Sequence, residues 1–395
     1  MFRIQNIRYI FLLLLLVTTA LSYLPVFANV VTFDEGVNPL NKYIELFAII
    51  TFILHFDLKK WVNERFLKVF LIYSLIILLI GFVLRQMHIS TVYSNEARDI
   101  MLSFVFVAIG YSSKLNPKKL GGLLLIFSVA LAYATYMQLI QHAGGFYITT
   151  LYISYGKNSM GMMCASASVA LVIFALETNK KFLKTIIWLL CVFLFILMVS
   201  IRARAATLTF LLVLIYLIYK RVKVGARNIE KISQIIFFCL ILLILLFVFS
   251  NAFQSFGDYF LSSLTKNREG DFTAGRVGLN RYGYSHLVRN PLWGSLSEAF
   301  HTETFIHNYF LRQLVLFGII GSLPIVLLYL FIVFYVLKGV LRNKVVLNNI
   351  GFFVFIIPVI ISLEEPTFPF SPGTAVAFSY ILLGNTLNQR SLMQG

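Results

Sequence analysis

The chain has 395 residues, 59% of them hydrophobic and 12% charged, with a net charge of +17. Soluble globular chains carry about 25% charged and 45–50% apolar residues. This composition, with a mean hydropathy of +0.86, therefore excludes a soluble enzyme, a disordered chain and a disulfide scaffold, while an enzyme inside a membrane stays open.

In chain order, twelve apolar spans are expected at 7–27, 40–56, 66–84, 99–113, 120–140, 158–176, 183–199, 204–219, 233–253, 306–337, 346–363 and 373–387. A helix needs about 20 apolar residues to cross the hydrocarbon core. Arg3 and Arg8 precede Ile10–Val17, and Val26-Phe27-Ala28 resembles a cleavage site, which together outline a signal peptide. Apolar character continuing through Ser22-Tyr23-Leu24 favours an uncleaved first helix instead. The tenth span is too long for one crossing and is expected to begin as a short surface helix that bends near Gly318 and Gly321. Cys164, Cys191 and Cys239 lie in apolar runs without metal-like spacing and read as small buried hydrophobes. No internal repeat is evident, which counts against repeat-built transporter folds.

Lys and Arg set the sidedness. With the N-terminus inside, the inner segments hold 21 of the 33 basic residues but only Asp57, Glu64, Glu177 and Glu230 of the 16 acidic ones. The outer segments hold 12 of each, so the whole excess of +17 sits on one face. Basic residues spread over short segments in this way do not make a nucleic-acid patch. The expected fold is an all-α polytopic membrane protein of about twelve transmembrane helices. Both termini are cytoplasmic, and one large outer, periplasmic loop at 254–305 carries short helices. Loops of that length are usually functional.

The informative residues break the charge rule. Ser200-Ile-Arg-Ala-Arg-Ala-Ala206 puts Arg202 and Arg204 in a short outer turn. An arginine at membrane depth costs about 2.5–3.5 kcal/mol even on the lenient insertion scale. The next helix starts near Ala205, and guanidinium forks beside a helix N-terminus suit phosphate oxygens. The alternative is snorkelling to lipid headgroups or pairing with Glu364 or Glu365. Residues two apart on a helix point to nearly opposite sides, so the choice between the two arginines stays open.

In the large loop, Thr273-Ala-Gly-Arg276 precedes an amphipathic stretch, Val277–Arg289, closed by Asn290-Pro291. Arg276, Arg281 and Arg289 are candidate anion ligands, or solvated loop charges. Glu269 and Asp271 have a spacing that can hold a divalent metal but more commonly belongs to a turn. Thr304 is a candidate helix N-cap, placing His307 in the first turn at the outer surface. A neutral imidazole there can accept a proton from a hydroxyl, its reference pKa being about 6.5. A loop-bonding histidine is the alternative. Asn308 and Arg312 share a face, and Arg312 either reaches the outer surface or pairs with a loop carboxylate. Glu365 either orients a histidine or an arginine or simply pairs with a charge. Gln138, His142 and Gly144-Gly145 end the fifth span, Tyr152, Tyr155, Lys157 and Asn158 open the sixth, and the aromatic residues there read as an interfacial belt or a sugar-stacking platform.

Four stretches together resemble the O-antigen ligase and polymerase superfamily. They are Ser200-Ile-Arg-Ala-Arg-Ala at the head of a span, Ala274-Gly-Arg276 early in a large loop, Asn290-Pro-Leu-Trp-Gly294 within it, and His307-Asn308 followed by Phe317-Gly-Ile-Ile-Gly321. The resemblance covers 158–325 and divides the chain into N-terminal helices at 1–157, a ligase-like region at 158–345 and C-terminal helices at 346–395. It implies a metal-independent glycosyltransferase without cofactor, in the bacterial inner membrane, facing the periplasm and serving surface polysaccharide assembly. The implied donor is a glycan on undecaprenyl pyrophosphate. The implied acceptor is a sugar hydroxyl on lipid A-core or on another lipid-linked repeat, and a flippase and a chain-length regulator are the implied protein partners. The family's pyrophosphate-binding arginines map onto Arg202 or Arg204 and onto Arg276, and its acceptor-activating histidine onto His307. Two arginines stand here where the family turn usually has one. The rival class is a flippase for the same lipids, which is expected to place ionisable residues near mid-membrane.

Overall fold

The computed structural model describes residues 2–27, 39–143, 157–201, 203–223, 276–294, 306, 308–365, 369–370 and 374–394. Among them run thirteen α-helices. These are α1 (Phe2–Leu21), α2 (Pro39–Leu54), α3 (Leu58–Asn63), α4 (Arg65–Gln86), α5 (Thr91–Ser113), α6 (Pro117–Ala143) and α7 (Lys157–Glu177). There follow α8 (Lys181–Ser200), α9 (Arg204–Lys223), α10 (Arg276–Arg289), α11 (Tyr309–Arg342), α12 (Ile350–Ile361) and α13 (Ala377–Gln394). Helices occupy eleven of the twelve expected stretches, and the other, 233–253, lies outside the described residues. Five helices, α4, α6, α7, α8 and α11, are long and apolar enough to cross a membrane, and α1, α2 and α12 are shorter apolar helices. The architecture is that of an all-α, multi-pass membrane protein.

Two boundaries depart from the sequence reading. The short helix α3 falls in an expected inner loop, where the Asp57 side chain accepts from the Lys60 backbone N–H and caps it. Helix α5 starts at Thr91 rather than 99, because the Ser90 hydroxyl accepts from Tyr93 N at 3.2 Å and supplies an N-cap. Glu96, expected beyond the end of that span, and Asp99, its first expected residue, are therefore both inside a helix and both buried.

Helix α7 is the central pillar, packed against α6, α8, α9 and α12. Its small residues Gly161, Ala165, Ala167 and Ala170 are what close helix approach in a bilayer requires. A Cβ on Gly161 would lie 2.2 Å from that of Ala203, so the turn before α9 rests directly on α7. Helices α5 and α13 cross closer still, Gly110 lying against the Ile381 carbonyl and Gly384 against that of Val107. Cys164 and Cys191 are free and buried, as expected, and Cys239 lies outside the described residues.

The bundle has two chemically distinct ends. At one, segments grouped together by charge bond to each other. Tyr9 Oη donates to the Lys119 carbonyl at 3.0 Å, Trp61 Nε1 to Ser112 Oγ at 2.8 Å, and Leu115 N to Asn385 Oδ1 at 3.3 Å. Arg221 pairs with Glu177 at 2.9 Å, and Arg390 donates to Asn343 Oδ1 at 2.6 Å. We call this the basic end. The opposite, or far, end gathers the head of α5, the head of α11, the turn after α12 and the helix α10.

Candidate functional site

The head of α11 organises the far end. Asn308, not Thr304, is its N-cap: its backbone is extended and its side-chain oxygen accepts from Leu311 N at 2.9 Å. Residue 307 therefore precedes the cap instead of sitting in the first turn. The Asn308 carboxamide also donates to the Leu363 carbonyl at 3.1 Å, a second bond unavailable to a threonine cap. Tyr309 N donates to the Ser362 carbonyl at 3.0 Å. The start of α11 is thus tied to the turn that follows α12. His307 itself lies outside the described residues; the flanking Ile306 is buried.

From the other side, α5 contributes Glu96, which is 5% exposed. Its Oε1 accepts from Tyr309 Oη at 2.8 Å and from Gln313 Nε2 at 3.1 Å, and its Oε2 from Arg312 Nη1 at 3.3 Å. Arg312 does pair with a carboxylate, but one carried on a helix rather than in a loop. Burying a carboxylate costs several kcal/mol unless its lone pairs are answered, and here three donors answer them. Sequence reading missed Glu96, Tyr309 and Gln313. The available signal was Ser90, a good N-cap that moves the helix start to Thr91 and brings Glu96 inside.

Nine residues on, α11 breaks. Gly318 has φ 62° and ψ −174°, a conformation essentially confined to glycine. The bend expected near Gly318 and Gly321 is here. A break leaves backbone N–H groups without their usual carbonyls four residues back. Two of them find partners in the large loop: Ile319 N donates to the Pro291 carbonyl at 2.9 Å, and Ile320 N to that of Leu292 at 3.1 Å. Gly294, with φ 61°, lies so close that a Cβ there would meet Gly318 N at 2.4 Å. The stretches Asn290–Gly294 and Phe317–Gly321, picked out separately in the sequence, are therefore two halves of one joint. Helix α10 lies beside α11, with Gly283 facing Ile306 and Val315.

The remaining candidates divide. Arg281 is exposed on α10. Arg276 is the first residue of α10, and its side chain falls outside the described residues. Arg204 opens α9, half-buried and partnered. Arg202 lies outside the described residues, as do Glu269 and Asp271. Glu365 is buried in the turn after α12, with its N–H donating to the Ile361 carbonyl at 2.9 Å, and it is partnered. Helices α9 and α12 pack together. The structure thus brings Glu96, Asn308, Arg312 and the turn holding Glu365 into one frame, drawn from the N-terminal, middle and C-terminal parts of the chain. No protein-family model matches the chain, and no curated protein matches it.

Proposed function

We propose that the chain is a membrane glycosyltransferase of the O-antigen polymerase or ligase type. It moves a glycan from undecaprenyl pyrophosphate to a sugar hydroxyl, on another lipid-linked repeat or on lipid A-core. In this reading twelve helices span the bacterial inner membrane, the basic end faces the cytoplasm, and the far end faces the periplasm. The observation that carries the reading is the joint between residues 290–294 and the break at Gly318. It ties the segment that follows Arg276 and Arg281 to the helix that follows His307.

The chemistry follows from the residues. As the anomeric C–O bond breaks, charge develops on the departing pyrophosphate. Arg276 and Arg281, with Arg202 or Arg204, stabilise it, and fixed guanidiniums do so more strongly where water is scarce. The leaving group is already good, so no metal is needed by this logic. His307 takes the acceptor's proton in an in-line displacement that inverts the anomeric centre. Asn308, Arg312 and Glu365 support the frame. The far-end location of the buried Glu96–Arg312 pair, in the second turn of α5, favours an enzyme over a flippase, whose ionisable residues belong near mid-membrane.

The test is transfer by the purified protein from a lipid-linked donor. His307→Ala and Arg276→Ala are expected to abolish transfer while the protein still inserts and folds normally. Full activity of His307→Ala removes the proposed base. A label at residue 276 that is reachable only from the cytosol overturns the topology. Glycans of a deletion strain separate the two subtypes: a polymerase mutant keeps single repeats on the acceptor lipid, and a ligase mutant leaves that acceptor bare.

A further inference from the structure

The break at Gly318 raises a mechanical question. A helix holds its parts in register through a continuous ladder of backbone bonds. Where the ladder is cut, the residues before the cut no longer inherit their rotation and height from the long spanning part. The head of α11, Tyr309 to Phe317, must therefore be set locally.

Glu96 supplies that setting. Tyr309, Arg312 and Gln313 stand at i, i+3 and i+4, on one face of the head. One carboxylate receives a donor from each. Rotating the head by one residue, about 100°, would carry all three donors away together. Gln313 is 0% exposed, so its amide N–H has no recourse to water. The bonds to Ser362 and Leu363 hold the head from the opposite side, and those to Pro291 and Leu292 hold the stretch just after the break. Apolar side chains would pack this contact without desolvating a carboxylate. What they would lack is a single preferred rotation.

We infer that Glu96 is a positioning residue: its carboxylate fixes the rotation and height of the head of α11, the helix that follows His307 in the chain. The inference rests on the proposed function for its catalytic consequence and on the geometry alone for its structural one. Glu96 does not touch the reacting groups. It is buried, and its oxygens are occupied by three donors.

The test uses the full chain in lipid nanodiscs, with its three cysteines replaced by alanine. Spin labels go on the exposed positions Phe310 and Leu363. Glu96→Gln is the principal variant and Glu96→Ala the second; Gln keeps the shape and decides the matter if Ala fails to fold. Glu96→Gln is expected to broaden the 310–363 distance distribution. It should also lower kcat about 100-fold, the size of loss a misplacement near 1 Å produces, with donor KM unchanged and the protein still folded at the assay temperature, although the melting temperature falls as Arg312 loses its charged partner. An unaltered distance distribution overturns the inference. So does a kcat loss matched by a rise in KM or by unfolding at the assay temperature, which marks a merely structural residue. If the unsubstituted protein transfers no glycan, the proposed function fails, and the spin-label distances still judge the positioning role.

Discussion

The two ends of the bundle spend their charges differently. At the basic end the cations close off helices. The Lys220 ammonium meets the carbonyls of Val340, Leu341 and Asn343, where α11 runs out of internal donors. A cation at a helix C-terminus satisfies orphan carbonyls and the negative end of the dipole together. Arg221 and Arg390 likewise end on groups a short distance away. These are economical devices, and they account for these three basic residues without a ligand. At the far end the chain does the opposite. It buries a carboxylate in α5, breaks its longest helix, and seats a loop in the break. Each of these is costly for stability alone, and each places a group.

If that contrast is right, damage to the joint must outweigh damage anywhere at the basic end. Gly318→Ala is the harshest case. Its Cβ would lie 2.3 Å from the Leu292 carbonyl oxygen, at a φ that L residues rarely adopt. The backbone term alone is about 1–3 kcal/mol, and unseating residues 290–294 adds to it. Thermal unfolding of the solubilised protein should show the drop, and protease should cut the loop faster. Gly278→Ala is the control on the same loop. Nothing lies within 4 Å of a Cβ there, so the substitution is expected to be neutral or to stabilise α10 by about 0.5 kcal/mol. Equal effects of the two would erase the distinction between joint and loop.

Asn308→Ala comes next. It removes a cap, worth about 1 kcal/mol, and also the bond to the Leu363 carbonyl. Asn308→Ser restores the cap but not that bond, so its melting temperature should fall between the two. Arg221→Ala belongs at the basic end. It leaves Glu177 part-exposed and able to reach water, so the loss should be about 1 kcal/mol or less. Transfer kinetics should not change. A change in kcat there would show the two ends to be coupled, which the present contrast denies.

The sequence disclosed unequal shares of this. Helices were legible because apolar runs of bilayer length have few alternatives. The bend was legible because Gly318 and Gly321 interrupt such a run. The head of α5 was not, since Ser94-Asn95-Glu96-Ala97-Arg98-Asp99 looks like a loop until Ser90 is taken as a cap. The cap of α11 was misread because threonine and asparagine compete closely for that position, and the deciding bond goes to Leu363, 55 residues away. Glu96 was out of reach for the same reason on a larger scale: its partners lie 213 to 217 residues along the chain. Arg202 and His307 were legible only as chemistry and motif. What a motif discloses is the residue type, and what it withholds is the seat, as residues 290–294 illustrate.

The smallest effect sharpens the contrast from the other direction. Asp57 caps α3 at the basic end and pairs with the Lys60 ammonium on the surface. That bond holds the Asp57 carboxyl below its usual range. A depressed carboxylate contributes stability above its unfolded pKa and loses it as the pH falls through the folded one. The contribution is therefore complete at neutral pH and disappears only in acid, below the ordinary carboxylate range. Lys60 is exposed and Asp57 part-exposed, so screening leaves little of it. Lys60→Ala should change the melting temperature at neutral pH by no more than about 0.5 kcal/mol equivalent, and should flatten a slight acid-side slope in stability. A penalty matching that of Asn308→Ala would mean that the basic end, too, relies on specific placement, and the division between closing charges and placing charges would have to be redrawn.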